Sequence, residues 1–147
     1  MGNPAPGQPS QQDWILGDTD AIIQLLACDK LSLLKVLRSQ YGILTVIPEP
    51  VEIELRNLVK NRRFQDVHQR LTKAFNNGLL TILQEAALSP LVGVNTHEAF
   101  ERIERLGEKF RRLGVGSGEA YAHAAGIELS LPVLSNDGKA INVLMAY

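Results

Sequence analysis

Cysteine is nearly missing from this chain. Cys28 stands alone among 147 residues, so no internal disulfide can form and no Cys-based metal site is available. A reducing, cytoplasmic setting is the default for such a composition. Long apolar runs are missing too, since none approaches the roughly 18 residues that a membrane span needs. The opening MGNPAPGQPSQQ lacks the apolar segment of a signal peptide. It is rich in Pro, Gly and Gln and reads as a disordered leader over residues 1–12. Net charge is close to absent at -1, which leaves nucleic-acid binding to be judged from how the charges are distributed. There is no internal repeat. What remains is an ordinary globular composition over 13–147, enough for one domain with a substantial core.

That remainder alternates apolar runs with helical patterns. Short strands are expected at 14–16, 43–47, 79–83 and 131–134. The run at 43–47, ILTVI, is β-branched and apolar on both faces, as in parallel sheets covered on both sides. Helices are expected at 21–27, 31–40, 51–59, from about 64, from 95 to about 113, at 117–125 and at 139–145. Pro50 suits the first helical position of the third of these. Asn95 with Glu98 resembles a capping box, and Ser117 between Gly116 and Gly118 reads as an N-cap. Ala120, Ala122, Ala124 and Ala125 make a thin helix that can press against a sheet, with a turn expected at Gly126. The mixed stretch 84–94 reads as loop. Strands alternating with helices imply right-handed crossovers and a three-layer α/β/α fold on a mainly parallel sheet.

Acids recur where strands end or the next helix begins: Asp18, Glu52 and Glu54, Glu119, and Asp137. In an open α/β sheet these points line the ligand crevice. Two like charges about 4 Å apart cost about 4 kcal/mol at an effective dielectric of about 20, so four gathered carboxylates need a cation, protons or distance. An all-oxygen donor set with no Cys and no convincing His group favours Mg²⁺ or Mn²⁺ over Zn²⁺. Such an ion can activate water and stabilise charge on a phosphate. Two helices carry basic residues: Arg56, Lys60, Arg62, Arg63, Arg70 and Lys73 in one region, and Arg102, Arg105, Lys109, Arg111 and Arg112 in another. The first set is expected outward of the stripe Phe64, Val67, Leu71 and Phe75, able to hold a polyanion. Metal beside a phosphate backbone points to nuclease chemistry.

Each acid also has a plainer role. Asp18 suits a helix N-cap, Asp20 and Glu119 complement helix dipoles, and Asp137 suits the turn Asn136-Asp137-Gly138. Glu52 and Glu54 both flank the stripe of Val51, Leu55 and Leu58, and periodicity does not separate them. His123 lies one turn after Glu119 and either shares a ligand with it or packs among the alanines.

With these residues in view, the chain resembles the PIN-domain family, including the toxin ribonucleases of VapBC-type toxin–antitoxin pairs. The resemblance runs over about 13–147. It rests on Ile15-Leu16-Gly17-Asp18-Thr19-Asp20, on Val46-Ile47-Pro48 followed by Val51-Glu52-Ile53-Glu54-Leu55, on Gly116-Ser117-Gly118-Glu119-Ala120, and on Val133-Leu134-Ser135-Asn136-Asp137. It implies that Asp18, Glu54, Glu119 and Asp137 hold Mg²⁺ or Mn²⁺, with Ser135 beside them orienting a ligand or water. It selects Glu54 over Glu52. The implied reaction is hydrolysis of RNA phosphodiesters, and the candidate partners are RNA, an antitoxin protein and a second copy of the chain, with no membrane. The competing expectation is a non-catalytic PIN-fold module that binds RNA or protein through its basic helices.

Overall fold

The computed structural model describes residues 13–60, 65–88 and 95–135. The expected leader, the last helix over 139–145, Asp137 and the basic pair Arg62 and Arg63 lie outside them.

Among the described residues, four short parallel strands make the sheet. β1 (Asp13–Gly17) pairs with β2 (Ile43–Ile47), Leu16 standing opposite Val46. β2 pairs with β3 (Leu80–Ile82) on one side, and β1 pairs with β4 (Val133–Leu134) on the other. The order is therefore β3-β2-β1-β4. The chain steps outward from β1 to β3, then crosses back to add β4 on the opposite flank of β1.

Helices cover both faces, giving the three-layer α/β/α arrangement. On one face, α1 (Thr19–Ala27), α2 (Leu31–Tyr41), α3 (Glu49–Val59) and α4 (Gln65–Asn76) pack Ile22, Leu26, Leu34, Val51, Leu55 and Leu71 around Ile47 and Leu80. On the other, α5 (Thr96–Arg112) and α6 (Ser117–Leu129) set Ala99, Ile103, Phe110, Ala120 and Ala124 against Leu16 and Val46. Alternation along β2 explains the split, because Val46 and Ile47 point to opposite faces of the pleat. Among the described residues no helix is long and apolar enough to cross a membrane.

Several local expectations are corrected. α6 runs on to Leu129 instead of turning at Gly126, and Ser130 closes it in the left-handed region at φ 55°. Gly126 is there for close approach: a Cβ on it would sit 2.5 Å from Val133 Cγ2 and 3.0 Å from the Leu131 carbonyl. The strand that follows shrinks accordingly to Val133–Leu134. Ser117 is the first residue of α6 and not its cap; extended Gly116 takes that position. Asn95 does precede α5, but at φ -94°, ψ 36° it lacks the extended backbone of a capping residue and its side chain makes no capping bond. α3 begins at Glu49, so Pro50 is second in the helix, still within the turn whose amides need no partner. Its buried stripe is Val51, Leu55 and Val59, with Leu58 turned out to solvent. Within the expected loop, Glu85–Leu88 forms a 3₁₀ turn that buries Leu88.

Candidate functional site

The sheet order creates a topological switch at β1, where one connection leaves toward β2 and another arrives at β4. Ligands of open α/β sheets bind outside the strand ends at such points. Asp18 follows β1 and Ser135 follows β4, and the Asp18 amide donates to the Leu134 carbonyl at 3.1 Å.

Asp18 has an extended backbone and caps α1: its Oδ1 accepts from the Ala21 amide at 2.9 Å. The residue is fully buried, and Oδ2 has no hydrogen-bond partner among the described residues. Leaving a buried charged oxygen unpartnered is costly. The capping role and a ligand role are therefore divided between the two oxygens.

Glu54 faces the same region. Its Oε2 accepts from Thr19 Oγ1 at 2.5 Å and its Oε1 from the Gly118 amide at 2.8 Å. Glu52 turns the other way, 3.5 Å from Arg56. Packing against the start of α6 thus separates two acids that periodicity left equivalent.

Glu119 lies in the first turn of α6 and is buried. Burial first, then the carboxylates of Glu54, Asp20 and Asp18, push its pKa from 4.5 up to about 7, against a lowering backbone hydrogen bond. These four acids therefore share one electrostatic neighbourhood. Ser135 Oγ lies 3.3 Å from Nε2 of the buried His123. Buried His123 thus reaches from α6 to the residue after β4.

The arrangement brings Asp18, Glu54 and Glu119 to one crevice with Ser135 at its β4 side. Among the described residues, however, no three His, Cys, Asp or Glu side chains converge closely enough to form a ligand shell. Glu54 is turned toward Thr19 and Gly118. The donor chemistry suits a hard divalent cation, and the unpartnered Asp18 oxygen suits one directly. Sequence reasoning gave Thr19 no part in the site and read Asp20 first as an acid complementing the helix dipole. The signal for Thr19 was its place straight after the strand-end acid.

Several side chains of the basic helices have partners within the fold. Arg70 turns back to cap α1, donating to the Leu26 carbonyl at 2.8 Å beside Asp29 at 3.5 Å. Arg56 lies over the Phe75 ring at 5.1 Å. On α5, Arg102 bonds Glu128 at 3.0 Å, and Arg111 and Arg112 flank Glu108 at 3.6 Å. A neighbouring cleft of about 160 Å³, lined by Pro48, Pro50, Ile53, Phe100 and Tyr121, contains none of the four site acids.

A comparison of the chain with protein families, with curated proteins and with solved structures finds no match to any of them.

Proposed function

We propose that this chain is a PIN-like, divalent-cation-dependent ribonuclease, in the manner of the toxin ribonucleases it resembles. The observation that carries the reading is the fully buried Asp18 carboxylate, with one oxygen unpartnered, beside a Glu119 whose ionisation burial and neighbouring acids oppose. Asp18 and Glu119 would hold Mg²⁺ or Mn²⁺, with Glu54 fixed beside them and Asp137 contributing from beyond β4. Bound there, the ion would neutralise charge at a scissile phosphate and acidify a water. Asp18 keeps its oxygen directed by capping α1, and Ser135 with His123 offers polar contacts at the β4 side of the crevice. RNA is the proposed substrate, with an antitoxin protein and a second copy of the chain as partners.

The test is RNA cleavage in Mn²⁺ by wild type and by Asp18→Asn. Cleavage by wild type that the variant lacks supports the reading, and equal cleavage by both overturns the site. One observation favours a second reading, a PIN-fold RNA- or protein-binding module without turnover: both Glu54 oxygens are already bonded, and no closed ligand shell stands among the described residues. Saturable RNA binding that ignores chelator, with no cleavage in Mn²⁺, would favour it.

A further inference from the structure

We infer that Thr19 is a positioning residue, which with the Gly118 amide makes Glu54 a clasp that sets Asp18 and Glu119 relative to each other. The inference rests on reading those acids as a divalent-cation site. Its basis is which residues hold Glu54. Thr19, 35 positions away, is the immediate neighbour of Asp18; Gly118, 64 positions away, is the immediate neighbour of Glu119. One carboxylate on α3 thus ties the first residue of α1 to the first turn of α6, and each tie sits next to one site acid.

The chemistry of the clasp is narrow. A carboxylate only accepts, and here each oxygen faces one donor, a hydroxyl and a main-chain N–H. A glutamine would turn an NH₂ group toward one of those donors. Thr19 is buried, so water does not substitute easily for a lost hydroxyl. A side chain at position 118 would displace the clasp itself, because a Cβ there would collide with Thr19 Oγ1 and lie 2.7 Å from Glu54 Oε2. Backbone and side chains are fitted to the same carboxylate.

Two measurements on the full chain test this. Mn²⁺ binding, read from the spin-resonance signal of the free ion, should weaken about 10-fold or more in Thr19→Val, as expected for loss of a group that orients a ligand set. Thr19→Ser, which keeps the hydroxyl, should restore binding toward wild type. Equal Mn²⁺ affinity in Thr19→Val and wild type would overturn the positioning role. Thermal melting without divalent cation of Thr19→Val, Glu54→Gln and the double variant then examines the clasp alone. If the double variant melts no lower than the worse single variant, the clasp stands; if the two losses add, it falls. Wild type that binds no Mn²⁺ while the melting losses fail to add would overturn the cation reading and leave the clasp as a purely structural tie. These outcomes separate the two ideas.

Discussion

Acids gather around one side chain at two places in this molecule, and the two behave oppositely. At the surface, the exposed His97 ring holds Glu85 at 2.8 Å and Glu101 at 3.2 Å, joining the 3₁₀ turn to α5. The carboxylates raise the His97 pKa, the Glu85 hydrogen bond most of all, so the acids favour the protonated ring. In the crevice, Glu119 is surrounded by Glu54, Asp20 and Asp18 and is cut off from water. There each added charge opposes the next. The first cluster sets a basic ring between its acids, whereas the side chains that act on Glu119 in the second are themselves acids.

The strongest way to break that contrast is at Asp18. Saturating Mn²⁺ at about 100 times its dissociation constant should stabilise the wild type by about 2.7 kcal/mol, a rise of several degrees in melting temperature for a domain of this size. Asp18→Asn should abolish both the rise and RNA cleavage, while keeping the cap to the Ala21 amide. An undiminished rise in the variant would mean that the acids bind no cation through Asp18.

Glu119 gives the next largest effect. Its pKa is about 7 in the folded chain against an ordinary 4.5, so the folded state keeps a proton that the unfolded state has lost. Stability from this group is therefore greatest below about pH 4.5 and declines as pH rises through about 7. Without divalent cation, Glu119→Gln should remove that decline, so its melting temperature should exceed the wild type's at pH 8 by more than at pH 5. Parallel curves for the two proteins would show that Glu119 ionises at no cost.

Gly126→Ala examines the same edge by steric means. Crowding Val133 and the Leu131 carbonyl should cost about 1–3 kcal/mol in chemical denaturation, by displacing β4 from β1. A neutral substitution would mean that β4 has room to give. The smallest effect belongs to the surface. His97→Gln should lower the melting temperature slightly at pH 5, less at pH 8, and not at all in high salt. The sign follows because a raised folded pKa favours the folded state below the ordinary value of 6.5 and loses that advantage as pH climbs. Salt-independent loss would point to packing instead of charge.

How far the chain could be read from its sequence follows the same division between buried and exposed. β2 and α2 were legible because one is a bounded apolar run and the other carries a one-sided leucine stripe. α6 was legible at its start but not at its end. It touches both cores, Ala120 and Ala124 on one side and Ala122 on the other, so it shows no polar stripe by which to follow it past Gly126. In the crevice, a strand end marked Asp18 and a helix start marked Glu119, but periodicity could not choose Glu54 over Glu52, because their environments differ only once α6 arrives beside α3. Arg70 looked like a solvent-facing cation because its partner, the C-terminal end of α1, is distant in the chain.

The strand order also has a consequence for the newly made chain. β1 emerges from the ribosome before the other described elements, yet its partner β4 is joined only after all of them have been synthesised. Chains lengthen at about 5–20 residues per second, so for several seconds Asp18 and Glu54 exist with no Glu119 and no β4 beside them. A crevice that joins β1 to β4 is completed only after α6 and β4 have been made, so no fragment ending before them can form it.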